Sequence, residues 1–279
     1  MQTRFFGLFE QLHRLELPAT DAEELYEGFH AGLYDLLTGA DDYDLPYYLE
    51  QARETGGPVV ELACGSGRVL LPLARAGFEV TGVDLAPDML RRLRRRLLDE
   101  APEVAARAKV RQGDMRELEV ETPPRLVILG AMSVCLLHSH EDRVRCFKAV
   151  ARALAPGGRF CLDFLETSPA ALRAQDAEIV TLPEVVPASK RFTLLGRRWL
   201  PEDGVQLVNF YSEEVDPLGR TRRHLGSTAK AIVAGDELRA QLAEAGLEVV
   251  SEDTLRELGE GDEAERIRML ACVSHDRGS

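Results

Sequence analysis

The sequence predicts an α/β fold built on an open, doubly wound sheet. A short apolar run, Val59–Leu62, leads into a glycine-rich turn and a helix, which is the pattern of a buried strand with its crossover. Similar strand and helix patterns alternate from there to about residue 165. After an interruption, the segment 233–279 supplies one more helix and two strands. Alternation of this kind is typical of a mostly parallel sheet covered by helices on both faces.

The glycine-rich turn at residues 63–68 predicts a place where a ligand approaches the backbone closely. Gly65 and Gly67 permit positive φ, and the helix after them presents its first amides beyond the strand. A dinucleotide-binding fingerprint is excluded because Leu70 stands where its third glycine should be, and no Gly-Lys-Ser/Thr of a P-loop follows. An ordinary tight turn is the alternative that this stretch alone leaves open.

Acidic residues follow the next two predicted strands. Phe78–Leu85 predicts a parallel strand that ends at Asp84, which comes 17 residues after Gly67 (84 − 67 = 17). A carboxylate there can accept both hydroxyls of a ribose, in NAD enzymes as in other nucleoside binders. Asp84 therefore predicts that the protein binds a nucleoside, but it does not show which cofactor contains that nucleoside. The third strand exits through Gly113-Asp114-Met115.

These motifs, in this order, resemble the class I S-adenosylmethionine-dependent methyltransferases. Residues 61–67, Glu-Leu-Ala-Cys-Gly-Ser-Gly, are similar to the first motif of that family, and Pro156-Gly157-Gly158 resembles its turn into the fifth strand. The likeness covers about residues 55–165 by motif and 230–275 by outline. It implies a Rossmann-like doubly wound sheet of seven strands with an antiparallel last strand, and S-adenosyl-L-methionine as cofactor, with S-adenosyl-L-homocysteine as product.

The resemblance also implies a cofactor site. The glycine turn would hold the methionine half, Asp84 the ribose hydroxyls and Asp114 the adenine amine. The complete set of expected cofactor contacts is Glu61, Ala63, Cys64, Gly65, Gly67, Arg68, Asp84, Leu85, Met89, Gly113, Asp114, Met115, Ala131 and Met132. No set of residues with metal-ligand spacing is present, so no metal is expected.

The acceptor is expected beyond the carboxyl ends of the fourth and fifth strands. The Asn/Asp-Pro-Pro-aromatic signature of nucleobase amine methyltransferases is absent there, which favours a small-molecule acceptor. Small-molecule members often read Asn-Ser-Leu-x-His, whereas this chain has Met132 for the Asn and Leu136 for the His. The candidate catalytic residues are His138, Tyr34 and His224. The candidate substrate contacts are Tyr43, Asp163, Glu166, Trp199, Asn209 and Tyr211.

The chain divides into four predicted segments. Residues 1–50 form an N-terminal helical cap, in which Thr20–Glu23 predicts a helix start with a capping box. Residues 51–175 form the Rossmann-like core, and 233–279 its last helix and strands. Between them, 176–232 predicts an inserted antiparallel β-sheet that serves as a lid over the acceptor or as the contact of a homodimer.

The composition of the chain limits the classes of partner that it is expected to bind. The net charge of −13 disfavours a nucleic-acid or anionic-membrane partner. The five cysteines have no zinc-site or redox spacing, which indicates reduced thiols and a cytoplasmic protein. Neither a signal peptide nor a membrane-spanning run is expected.

The predicted function is transfer of a methyl group to N, C or O of a small molecule. The arginine- and alanine-rich composition leads us to expect a bacterial specialised-metabolite pathway. The alternatives are a non-catalytic regulatory protein that binds S-adenosylmethionine and an NAD-dependent oxidoreductase.

Overall fold

The computed structural model of the protein describes residues 4–38, 42–176, 179–182 and 190–274, which form two sheets and the helices that cover them. The helices are α1 (Gly7–Arg14), α2 (Gly28–Thr38), α3 (Leu45–Thr55), α4 (Leu70–Arg75), α5 (Pro87–Leu98), α6 (Pro102–Ala105), α7 (His140–Ala153), α8 (Pro169–Ala174) and α9 (Gly235–Glu244). The strands are β1 (Thr20–Glu24), β2 (Val59–Leu62), β3 (Val80–Asp84), β4 (Ala108–Gln112), β5 (Leu126–Leu129), β6 (Arg159–Glu166), β7 (Ile179–Leu182), β8 (Lys190–Leu200), β9 (Val205–Val215), β10 (Thr221–Ala231), β11 (Leu247–Leu258) and β12 (Glu265–Ser274).

The larger sheet has seven strands in the order β11-β12-β6-β5-β2-β3-β4. Strands β4, β3, β2, β5 and β6 pair in parallel, and β12 runs antiparallel to both β6 and β11. The predicted doubly wound sheet with an antiparallel last strand is confirmed. The chain moves outward from β2 through β3 to β4 and then returns to place β5 on the other side of β2. Ligands of open α/β sheets bind at such a reversal, beyond the carboxyl ends of the two strands.

An apolar core lies on each face of this sheet. Strands β2 and β5 are buried throughout, as parallel strands covered on both faces must be. Tyr48 of α3 and Leu90 and Leu93 of α5 pack on one face. Phe147 of α7 and Leu242 of α9 pack on the other. The core therefore holds the carboxyl ends of β2 and β5 rigidly between two helical layers.

The smaller sheet has the order β1-β10-β9-β8-β7 and is the predicted insert with one strand, β1, added at its edge. Strands β7 to β10 are antiparallel. Residues 183–189 of the predicted insert lie outside the described residues. Helix α1 covers one face, where Phe6 and Phe9 pack against Tyr211 and Leu225. The predicted dimer contact through this sheet stays a prediction.

The prediction of a helix start at Thr20–Glu23 is wrong. These residues form β1, which pairs in parallel with Arg223–Ser227 of β10. The Arg223 side chain anchors the strand by donating to the Pro18 carbonyl, and the Arg223 amide donates to that of Ala19. Pairing with a free sheet edge satisfies the backbone groups, and this tertiary contact overrides the local capping signal.

The predicted boundary between residues 50 and 51 falls inside α3, which packs on the core. The division into four segments stays a prediction. Within the described ranges, none of the helices is long and apolar enough to cross a membrane.

Candidate active site

The turns that follow β2 and β5 face each other and enclose a small cavity. Ala63, Cys64, Gly65 and Ser66 contribute from the first turn, and Gly130 and Ala131 from the second. The rest of the wall consists of Glu61, Arg68, Tyr34, Asp35 and Arg96. We call this cavity the glycine cradle. It lies at the reversal of strand order, where the topology leads one to expect a ligand.

Close packing requires the glycines of the first turn. Gly67 has a φ of +89°, and a Cβ there would come within 2.4 Å of Leu93 Cδ1. Gly65 has a φ of +53°, and its Cβ would meet Met89 Cε at 3.2 Å. Met89 is buried, so it supports the turn from below and does not line the cradle. Glycine at these two positions thus lets the turn pack closely on α5, and Gly65 also lines the cradle.

Asp84 lies at the end of β3, beside this turn. Its carboxylate accepts from the amide of Gly65 at 2.7 Å and from that of Ala86 at 2.8 Å. Burial raises the pKa of Asp84, and these amides oppose the rise. The next residue, Leu85, leaves 65% of its surface exposed, which is unusual for a leucine beside a buried strand. Asp84 and Leu85 therefore form a polar and apolar pair at the rim of the cradle.

Asp114 is the corresponding acid on the next strand, and it follows the end of β4. Its carboxylate is held by Arg116, which donates from Nε at 2.9 Å and from Nη2 at 2.6 Å, and Arg116 also pairs with Asp142. The hydrogen bonds from Arg116 lower the pKa of Asp114. Gly113 is tied to β3 by its amide, which donates to the Asp84 carbonyl. Met115 begins a single turn of 3-10 helix and packs on the core.

Glu61 is the most deeply buried acid of the cradle. Its Oε2 atom has no hydrogen-bond partner among the described residues. Burial raises the pKa of Glu61 to about 8, against the effect of the Arg68 guanidinium. Arg68 itself is committed to Asp44, with two parallel hydrogen bonds of 2.6 Å. Asp44 thus neutralises Arg68, and Glu61 keeps one buried oxygen without a hydrogen-bond partner in the wall of the cradle.

Helix α2 closes the cradle from the N-terminal side. Asp35 accepts from the Ser66 hydroxyl, and its other oxygen accepts from Arg92 Nε at 2.5 Å. Arg96 donates to the carbonyl and hydroxyl oxygens of Ser66 at 3.1 and 3.0 Å. Contacts of Asp35, Ser66 and Arg96 with the cradle were not predicted from the sequence, because they depend on α2 meeting α5 in space. Gly130 was not predicted as a site residue either, although a glycine at the end of a strand often marks a place where a ligand approaches the backbone.

A second cavity, of about 290 Å³, lies between the two sheets. We call it the apolar cavity. Its apolar wall includes Leu25, Met132, Val134, Phe164, Leu165, Leu195, Val208 and Phe210. Its polar lining includes Tyr34, Gln175, Arg197, Gln206, Lys230 and Glu265. Tyr34 lines both cavities, and the neighbours Ala131 and Met132 line one each.

Asp163 supports the turn between the two cavities. It is fully buried and accepts from the Met132 amide at 2.9 Å, the Tyr43 hydroxyl at 3.0 Å and the Tyr48 hydroxyl at 3.4 Å. Burial, and then the charge of Asp44, raise the pKa of Asp163 to about 7. Ala131 and Met132 have φ of +55° and +57°, a conformation that costs free energy for any residue other than glycine. Asp163 and Tyr43 thus stabilise a strained turn and do not themselves line the cavity.

The remaining predicted residues lie elsewhere. His138 is exposed and contacts the Ala229 carbonyl at 3.0 Å, while His224 stacks on Phe29 with centroids 3.9 Å apart. Burial lowers the pKa of His224. Glu166 pairs with Arg268 at 3.2 Å. None of these three predicted residues lines the apolar cavity.

Three predicted contacts lie on the smaller sheet. Asn209 and Tyr211 point towards α1, where the Asn209 amide donates to the Arg4 carbonyl at 2.9 Å. Trp199 is paired with Gln206 across β8 and β9 but lies outside the cavity lining. The structure therefore brings together the predicted cofactor contacts much more closely than the predicted substrate contacts.

Known proteins share this arrangement. Residues 59–158 match the family described as a methyltransferase domain. The putative methyltransferase YqeM of Bacillus subtilis (strain 168) is 33% identical over 141 residues, which are 50% of this chain and 55% of that protein. The cypemycin N-terminal methyltransferase of a Streptomyces species is 30% identical over 128 residues, 46% of this chain and 50% of that one. The chain thus spans about half the length of these two relatives.

Solved structures match over more of the chain. The CcbJ methyltransferase of Streptomyces caelestis aligns with a TM-score of 0.66 and 23% identity, covering 83% of this chain and 89% of that one. The glycopeptide N-methyltransferase MtfA, in complex with S-adenosylmethionine, aligns with a TM-score of 0.58 and 22% identity, covering 95% and 96%.

This chain therefore carries a methyltransferase domain, and its fold is that of the class I S-adenosylmethionine-dependent methyltransferases. The predicted fold class is confirmed, and the predicted resemblance to methyltransferases holds over residues 59–158.

Proposed function

We propose that the protein transfers the methyl group of S-adenosylmethionine to a small molecule held in the apolar cavity. The observation that carries this proposal is the shared wall of the two cavities. Tyr34 lines both, and the peptide unit between Ala131 and Met132 separates them. A donor in the glycine cradle and an acceptor in the apolar cavity would meet across this wall.

The residues of the cradle fit this cofactor. The turn at Gly65 and Ser66 lines the cradle and suits the methionine half, and the unsatisfied oxygen of Glu61 suits its ammonium group. Asp84 offers a carboxylate for the ribose hydroxyls, and the exposed Leu85 an apolar surface for adenine. Asp114 would accept from the adenine amine with the lone pairs that Arg116 leaves free.

When bound, the cofactor supplies a methyl group already activated by a sulfonium. What the chain must then do is orient the acceptor at close range and exclude water. The apolar cavity and helix α2 suit both tasks, and we propose Tyr34 as the polar group that orients the acceptor. A base is required only if the acceptor must lose a proton.

The acceptor atom is proposed from the chemistry of the cavity. Histidine is absent from the lining that the described residues form, and His138 and His224 lie away from it. A neutral amine can attack without a base, so we favour nitrogen over oxygen or carbon. The similarity to the cypemycin N-terminal methyltransferase and to the glycopeptide N-methyltransferase MtfA supports nitrogen and a bacterial specialised metabolite. A cytoplasmic location remains a prediction.

Calorimetric titration with S-adenosylhomocysteine tests the cofactor site. We expect binding to the wild-type protein and a loss of about tenfold or more in affinity for Asp84→Asn, as for a hydrogen bond to a charged group. Asp99→Asn, at the exposed end of α5, is the matched control and should bind like the wild type. Binding of NADH without binding of S-adenosylhomocysteine would overturn the proposal.

A further inference from the structure

The apolar cavity contains two cationic side chains. Arg197 projects from β8 and Lys230 from β10, on the face of the smaller sheet opposite α1. Lys230 pairs across the strands with Gln206, which also lines the cavity. Burial raises the pKa of the Cys135 thiol while Lys230 opposes the rise, so the ammonium lies near the turn that follows Met132. One cation is therefore close to the wall shared with the glycine cradle.

These cations lack the carboxylate partners that are usual elsewhere in the protein. Within the described part of the chain, the Lys230 ammonium has neither a hydrogen bond nor an ion pair. Arg197 makes one hydrogen bond, to the Gln175 side-chain carbonyl at 3.2 Å, although a guanidinium carries five N–H donors. By contrast, the partly buried Arg68 and Arg143 are both paired with acids. Most of the hydrogen-bonding capacity of the cavity cations is thus unused.

The acid nearest to them is already satisfied. Glu265 accepts from the Thr167 hydroxyl at 2.6 Å with one oxygen and from the Gln175 amide at 2.9 Å with the other. Because Gln175 stands between Glu265 and Arg197, the carboxylate and the guanidinium are bridged and not paired. The lining thus carries two cations against one carboxylate, in a protein whose net charge is −13.

We propose that the acceptor carries an anionic group, a carboxylate or a phosphate ester, which Lys230 and Arg197 bind while its apolar part fills the cavity. This inference rests on the proposed function. Placing unpaired charges against an apolar wall costs free energy, and an anionic ligand removes that cost by pairing them. Recognition by two cations also fixes the orientation in which the acceptor lies in the cavity.

Two isosteric probes test this binding mode: 1-naphthaleneacetate, which is anionic, and 1-naphthaleneacetamide, which is neutral. Both are titrated by ligand-observed NMR into the protein saturated with S-adenosylhomocysteine. We expect the acid to bind about tenfold more tightly than the amide. Lys230→Gln and Arg197→Gln should each weaken the acid several-fold and leave the amide unchanged. Lys109→Gln, on the exposed face of β4, is the control and should change neither.

Equal binding of acid and amide would contradict the proposal, as would failure of the acid to bind or equal weakening of both probes by the variants. A third probe, 1-naphthyl phosphate, identifies the anion: tighter binding than the acetate indicates a phosphate ester, and weaker binding a carboxylate. The titrations need no methyl transfer, so they can fail while cofactor binding and transfer succeed. All variants should keep the wild-type affinity for S-adenosylhomocysteine, which separates a local effect from misfolding.

Discussion

Glu61 is buried at the carboxyl end of β2, where its charge depends on what occupies the cradle. Its nearest cation, Arg68, is neutralised by Asp44, and burial raises the pKa of Glu61 to about 8. At neutral pH the side chain is therefore mostly protonated in the free protein. A cationic ammonium placed beside the unsatisfied oxygen would lower that pKa, because an opposite charge favours the ionised form.

Cofactor binding should consequently release a proton. Between pH 6.5 and 7.5 the affinity for S-adenosylhomocysteine should rise by a factor that approaches tenfold per pH unit, since the complex binds one proton fewer. Above about pH 8 the rise should end. Calorimetry in two buffers of different ionisation enthalpy measures the proton directly. Glu61→Gln should show neither the release nor the pH dependence, and a wild-type affinity that is constant over this range would exclude the coupling.

The glycine turn depends on the helix packed beneath it. Helix α5 brings Leu93 under Gly67 and Met89 under Gly65, and its Arg92 and Arg96 hold Asp35 of α2. Helix α5 thus supports the glycine turn from below and also holds α2, which closes the cradle. A change in the turn should therefore affect the packing of α5 as well as the ligand.

Gly67→Ala tests this dependence, with Gly77→Ala as its matched control. Both glycines have positive φ, so alanine at either should cost about 1–2 kcal/mol in free energy of unfolding. Gly67 lies against Leu93, whereas a Cβ at Gly77 would meet nothing within 4 Å. Overpacking should add about 1–3 kcal/mol at Gly67 alone. Urea unfolding measures both, and equal costs would show that Leu93 does not confine the turn.

The strands of the core could be predicted from the sequence, because local apolar runs determine where they lie. Glu61, Asp84 and Asp114 lie around the carboxyl ends of β2, β3 and β4, and their contacts with a cofactor stay a prediction. The acceptor side could not be predicted in the same way. Asn209 and Tyr211 lie on the odd-numbered face of β9, and α1 covers that face instead of the cavity. Which face a strand buries is decided by a distant helix, and alternation within the strand does not reveal it.

For the whole molecule, two buried acids link stability to pH. Burial raises the pKa of Glu61 to about 8 and that of Asp163 to about 7, above the values of about 4 expected in the unfolded chain. The folded state therefore binds more protons than the unfolded state between these limits. Their contribution to the free energy of unfolding is constant below about pH 4 and falls as the pH rises towards 8.

Urea unfolding of the wild-type protein and of Asp163→Asn at pH 5, 6, 7 and 8 isolates the contribution of Asp163 as the difference between the two profiles, because the buried His30, whose pKa is lowered to about 3, acts in the opposite direction in both proteins. Asp163→Asn should flatten the profile between pH 4 and 7, because it removes one of the two titrating groups. Asp99→Asn, with an exposed side chain, should leave the slope unchanged. An unchanged slope in Asp163→Asn would show that this acid is ionised in the folded protein throughout.

Methyl transfer is proposed to take place across the wall formed by Tyr34, Ala131 and Met132. The most direct test incubates the protein with S-adenosylmethionine labelled in its methyl group and the small-molecule extract of the source organism. Formation of S-adenosylhomocysteine together with one labelled small molecule is the predicted result, and Asp84→Asn should reduce both. The account is contradicted if the protein binds the cofactor yet neither product forms.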